Sequence, residues 1–90
     1  MSNSRILMII NEKGLHARAS AKLVEVVEAH DANAEVSKDG LSASGDSIMG
    51  LLMLAASKGT SIEVETSGPE ADKLAMALEV LIADRFGEEF

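Results

Sequence analysis

Ninety residues amount to one domain, and the absence of cysteine removes disulfides, zinc–thiolate sites and thiol catalysis and fits a reducing compartment. A formal net charge of −7, with two Phe and no Trp or Tyr, argues against nucleic acid and anionic membrane surfaces, which call for a basic face and stacking rings. No apolar run reaches the ~18 residues of a membrane span, and Met1-Ser2-Asn3-Ser4-Arg5 lacks the features of a secretory signal, so a cytoplasmic location is expected.

In chain order, Arg5–Ile10 is a short apolar run with β-branched residues and predicts a strand. Asn11-Glu12-Lys13-Gly14 predicts a turn. From Ala17 to about Ala29, Ala19, Leu23, Val26 and Val27 form one helical stripe, ended by His30-Asp31-Ala32-Asn33. Ala34–Lys38 and Leu41–Ala43 alternate like half-buried strands around Asp39-Gly40, a two-residue hairpin signal. Ser44-Gly45-Asp46-Ser47 offers caps for a short helix from Ile48 to Ala55, stopped by Lys58-Gly59. Ser61–Glu65 predicts a fourth strand. Ser67-Gly68-Pro69-Glu70 opens the last helix, with Pro69 expected at its first position, Arg85 in its last turn and Gly87 as end cap. The order β-α-β-β-α-β-α, with one apolar and one polar face on strands two to four, predicts an α+β fold whose sheet is covered by helices on one side.

Charge is unevenly distributed. Residues 1–24 carry four basic side chains against Glu12 alone, a net +3, whereas residues 25–90 carry four basic and fourteen acidic, a net −10. Gly14-Leu15-His16-Ala17-Arg18-Ala19-Ser20 lies in the basic island. The helix is expected to start at or just after His16, where the first backbone N–H groups lack helical partners and favour an anion. Arg18 adds a planar fork of donors suited to phosphate oxygens. A neutral imidazole is a nucleophile that can attack phosphorus and hold it through nitrogen. Three plainer roles compete: a structural cap, an ordinary exposed histidine, and a metal ligand, the last opposed by the lack of a second His at ligand spacing. A serine triad has little support, with Ser20 four residues away and His30 the one other histidine.

Gly14–Arg18 followed by an apolar helix resembles the active-site signature of HPr, the histidine phosphocarrier of the bacterial phosphoenolpyruvate-dependent phosphotransferase system. Ser47-Ile48-Met49-Gly50-Leu51-Leu52 resembles that family's regulatory-serine segment, and spacing and element order agree over essentially the whole chain. The resemblance implies a single domain over residues 1–90, an open-faced β-sandwich with a four-stranded antiparallel sheet and three helices on one face. It implies that His16 accepts a phosphoryl group on Nδ1 from phosphorylated enzyme I and passes it to an enzyme IIA-type protein, serving sugar uptake or a nitrogen-related regulatory branch. Arg18 would stabilise the phosphate, with backbone N–H groups from Ala17 and Arg18. No metal, cofactor or independent turnover is implied, and a monomer is expected. The family usually has proline after the arginine; here Ala19 stands there, which would loosen the helix start without removing nucleophile or arginine.

Ser47 is read first as an N-cap and, by the resemblance, as a site for an HPr kinase/phosphorylase, with a regulatory protein as reader. Ile48, Met49 and Leu52 cannot all face inward on one short helix, so they are expected to form a docking patch for partners as well as core. In the first strand Leu7 and Ile9 take the inward positions, which puts Ile6, Met8 and Ile10 on the open face as a second contact surface. The alternative to a carrier is a regulatory binding module whose phosphorylation state partners read. A small-ligand sensor is a weaker third reading, with no Gly-rich loop or aromatic pocket to support it.

Overall fold

A computed structural model of the chain describes residues 2–90. Its elements run β1 (Ser2–Met8), α1 (Ala17–Glu28), β2 (Asn33–Lys38), β3 (Leu41–Ser44), α2 (Ile48–Met53), β4 (Ser61–Ser67) and α3 (Ala71–Ala83), followed by a short 3₁₀ turn at Arg85–Gly87. The strands form one antiparallel sheet in the order β1-β4-β2-β3. The three helices cover one face, as the alternation requires: Ala34, Val36, Ile62 and Val64 are buried with Leu23, Leu51, Leu74 and Leu78, while Glu35, Glu63 and Glu65 face water. Asp39 and Gly40 both take left-handed conformations, φ 50° and 83°, as the tight β2–β3 hairpin demands.

β1 starts and ends earlier than its apolar run suggests. Its polar start, Ser2-Asn3-Ser4, pairs with Ser67, Thr66 and Glu65 of β4, so the neighbouring strand overrides weak local propensity. β1 is an edge strand, and Ile6 and Met8 are exposed on the open face, while Ile10 lies beyond the strand and is half-buried.

α2 stops at Met53 rather than at Ala55, because Ala55 turns left-handed at φ 52° and delivers Leu54 and Ala56 to the core. α3 begins two residues after Pro69, not on it. The Glu70 N–H is committed to the Asp31 carbonyl at 3.0 Å, and its carboxylate accepts from the Asp31 N–H at 2.7 Å, which makes Glu70 the boundary residue. Arg85 and Gly87 are likewise outside α3, which ends at Ala83 with Asp84 as its C-cap. Arg85 and Phe86 are left-handed, φ 55° and 54°, and Gly87 continues the turn at φ 77°. That turn drives Phe86 fully into the core. Losing a buried Phe costs about 3–5 kcal/mol, enough to hold two non-glycine residues in a conformation worth roughly 1–2 kcal/mol each.

Candidate functional site

The turn before α1 is shaped by one glycine. Gly14 sits at φ +68°, and a Cβ there would lie 2.5 Å from the Ala56 carbonyl oxygen. That same oxygen accepts the Leu15 N–H at 2.8 Å, and the Leu15 side chain is buried. The loop after α2 thereby grips the chain just ahead of His16. Beyond it Ala19 and Ser20 are buried, so His16, Ala17 and Arg18 are the residues left at the surface.

His16 is the N-cap of α1, with extended backbone at φ −78°, ψ −177°. Its carbonyl accepts the first helical bond, from Ser20 N–H at 2.8 Å. Its side chain makes no capping bond, so the amides of the first turn are left for another acceptor. Ala19 is the third helical residue, and a proline there would cost α1 no helical hydrogen bond.

The ring opens onto a cleft of about 800 Å³ lined by Lys13, His16, Arg18, Lys22, Glu88 and Glu89, with Glu12, Ala17, Gly87 and Phe90 completing the wall. The His16 side chain is 27% exposed. Arg18 is exposed and makes no ion pair among the described residues. Lys22 is engaged: its Nζ donates to the Phe86 carbonyl at 2.7 Å, pinning the C-terminal turn to α1. Arg5, the remaining base of the N-terminal segment, pairs with Glu79 on α3 and does not line the cleft. The basic island of the sequence is thus divided in space, and acidic residues from the far end of the chain join it.

One of those, Glu88, contacts His16 directly. Its Oε2 is hydrogen-bonded to His16 Nε2, and its Oε1 accepts from Asn11 Nδ2 at 3.0 Å. Asn11 is fully buried, and the same amide donates to the Gly14 carbonyl at 2.8 Å. Burial pushes the Glu88 carboxyl up, but the hydrogen bonds from Asn11 and His16, with the charges of His16 and Lys13, more than offset it and hold it below the usual glutamate range. Glu88 and Asn11 are the site residues that sequence reasoning misses. The hydrophobe-then-glycine signal at Phe86-Gly87 marks a turn back toward the body, but nothing local pairs Glu88 with a residue 72 positions earlier.

The second segment lies as expected at the start of α2. Ser47 is its N-cap, its Oγ accepting the Gly50 N–H at 3.0 Å. Met49 is 71% exposed, Ile48 is exposed and Leu52 half-buried, while Leu51 is fully buried. Met53, absent from the sequence-based set, is 76% exposed on the same helix. His30 uses Nδ1 to bond the Val26 carbonyl at 2.7 Å, an ordinary helix-terminal role. Among the described residues no group of His, Asp and Glu is arranged to hold a metal, and no helix is long and apolar enough to cross a membrane.

Comparison with known proteins gives a consistent result. Residues 3–84 match the family model described as PTS HPr component phosphorylation site. The chain is 46% identical over 80 residues to the phosphocarrier protein HPr of Cupriavidus necator, covering 89% of this chain and 90% of that one. It is 36% identical over 90 residues to the phosphocarrier protein NPr of Escherichia coli K12, covering 99% and 100%. Among solved structures, HPr-C-His from Thermoanaerobacter tengcongensis superposes with a TM-score of 0.93 at 32% identity, covering 98% of this chain and 99% of that one.

Proposed function

The chain belongs to the HPr family of phosphotransferase-system phosphocarriers, and we propose that His16 is the residue that carries the phosphoryl group. The observation that supports this most is the placement of His16 as an N-cap that does not cap. The amides of Ala17 and Arg18 at the start of α1 have no helical partner, so they suit an anion bonded to the neighbouring ring. Arg18 lines the same cleft, and its side chain makes no ion pair among the described residues. Donors fixed in advance around a developing negative charge are often the largest single contribution to a group transfer.

In this reading phosphorylated enzyme I donates to Nδ1 of His16, and an enzyme IIA-type protein of the sugar-uptake or nitrogen-related branch accepts. The open cleft suits such a relay, because the phosphorylated ring must be reached by two proteins in turn. The protein is a phosphorylated intermediate with no turnover of its own. Ile48, Met49 and Leu52 form the docking patch; exposed, flexible methionine adapts to more than one partner. Ser47 is a second, regulatory phosphorylation site for an HPr kinase/phosphorylase. A phosphoserine at a helix N-terminus adds negative charge where the helix tolerates it, so it would act by repelling partners rather than by unfolding α2.

The test is intact mass after incubation with phosphoenolpyruvate and enzyme I. The expected result is an acid-labile, alkali-stable gain of one phosphoryl group that is lost in His16→Ala. A gain that persists in His16→Ala would overturn the assignment. Incubation with ATP and the kinase, compared with Ser47→Ala, tests the second site separately.

A further inference from the structure

We propose that Glu88 is a positioning residue for phosphoryl transfer: it fixes the ring of His16 through Nε2, so that Nδ1 presents its lone pair to the incoming phosphorus. The proposal rests on His16 being the acceptor and adds the group that prepares it.

An ionised carboxylate accepts hydrogen bonds and donates none. With Glu88 Oε2 on Nε2, the ring proton must therefore reside on Nε2. In the neutral ring the lone pair is then on Nδ1. The nitrogen that attacks and the nitrogen that is anchored are thus distinguished before any partner arrives.

Glu88 is itself held from two directions. Asn11 Nδ2 donates to its other oxygen at 3.0 Å from a fully buried side chain. Two residues earlier in the chain, Phe86 is anchored in the core and its carbonyl is bonded by Lys22 at 2.7 Å. A solvent-swept carboxylate would exchange ring contacts for water. This one is 16% exposed at its side chain and has both oxygens engaged. The arrangement is that of a carboxylate orienting a histidine, in which the acid sets tautomer and direction and compensates charge without taking the proton.

The balance of the transfer follows. The Nδ1 lone pair attacks phosphorus. The Nδ1–P bond forms as the bond from phosphorus to the donor's leaving atom breaks, and that bonding pair departs with the donor. No proton leaves His16. Nε2–H remains on Glu88, and the positive charge the ring acquires faces the carboxylate. In onward transfer the same steps run in reverse, and the ring returns to its neutral, Nε2-protonated form.

The experiment combines ring NMR with transfer kinetics on the full chain. In the wild type, a downfield, slowly exchanging ring proton should correlate with Nε2 of His16. In Glu88→Ala that signal should be lost, and the rate of phosphoryl gain from enzyme I and phosphoenolpyruvate should fall about tenfold, the scale of one charge-assisted hydrogen bond. Glu88→Gln keeps an acceptor for the ring proton and removes the charge, so it should retain the ring signal and still transfer more slowly than wild type. It also serves if Glu88→Ala disturbs the fold, which the amide spectrum reports. A Glu88→Ala protein with an unchanged ring signal and rate would overturn the positioning role and leave the carrier role standing. A wild-type protein that gains no phosphoryl group on His16 would overturn both.

Discussion

Histidine is a poor residue for a helix N-cap, where Ser, Thr, Asp and Asn are preferred because their side chains satisfy the free amides. At position 16 the ring is instead tied sideways to Glu88 and the amides stay open. Ser47 shows the contrast within the same chain: it caps α2 by accepting from Gly50. Arg18 tests the distinction between stability and function most cleanly. It is exposed and makes no ion pair among the described residues. Arg18→Ala should shift folding stability by less than about 0.5 kcal/mol while slowing phosphotransfer on the order of a hundredfold. Denaturant melts and stopped-time mass measurements check the two halves; a large loss of stability with unaltered transfer would reverse the assignment. The placement of His16 and Arg18 together at the start of α1 was legible, because it needs only adjacency in sequence and a helix start. The contact of Glu88 with His16 was not, because it depends on a turn through Arg85 and Phe86 in a left-handed conformation that local propensity disfavours.

At the scale of elements, the site depends on two junctions rather than on α1 alone. One is the loop after α2, where the left-handed Ala55 brings the Ala56 carbonyl against Gly14 and Leu15. The other is the C-terminal turn, where Phe86 and Lys22 place Glu88. Phe86→Ala should cost about 3–5 kcal/mol of stability and release Glu88 from His16, read as a lower melting temperature together with loss of the ring contact. Retention of that contact would show that Asn11 alone holds Glu88. Element types and their order followed from periodicity and hairpin chemistry, while several boundaries did not. β1 is set by its pairing with β4, and α3 starts after Pro69 because Glu70 is hydrogen-bonded to Asp31. Both are contacts between segments distant in sequence, which a local pattern does not contain.

For the whole molecule, the uneven charge matters less as a basic patch than as a composed site. Lys13, Arg18 and Lys22 meet Glu12, Glu88 and Glu89 around one cleft in an otherwise acidic protein. Acidification acts on the fold through two carboxyls held below the usual glutamate range. At Glu70 the Asp31 N–H is the main cause, and at Glu88 the hydrogen bonds and nearby charges outweigh burial. A carboxyl depressed in the folded state contributes stability that is fully present above its unfolded value and is lost as pH falls through its folded value. Relief of net negative charge works in the opposite direction on the same interval, so the comparison has to be made against variants. Melting temperature should fall less on acidification below the glutamate range in Glu70→Gln and Glu88→Gln than in the wild type; equal slopes would contradict the contribution assigned to these contacts.

The measurement closest to the central claim is assignment of the phosphorylated atom itself, by phosphorus and ring-nitrogen NMR of the protein after reaction with phosphoenolpyruvate and enzyme I. Phosphorus bonded to Nδ1 of His16, with Nε2 still carrying its proton, is the predicted result. Phosphorus on Nε2, or on any residue other than His16, would contradict it.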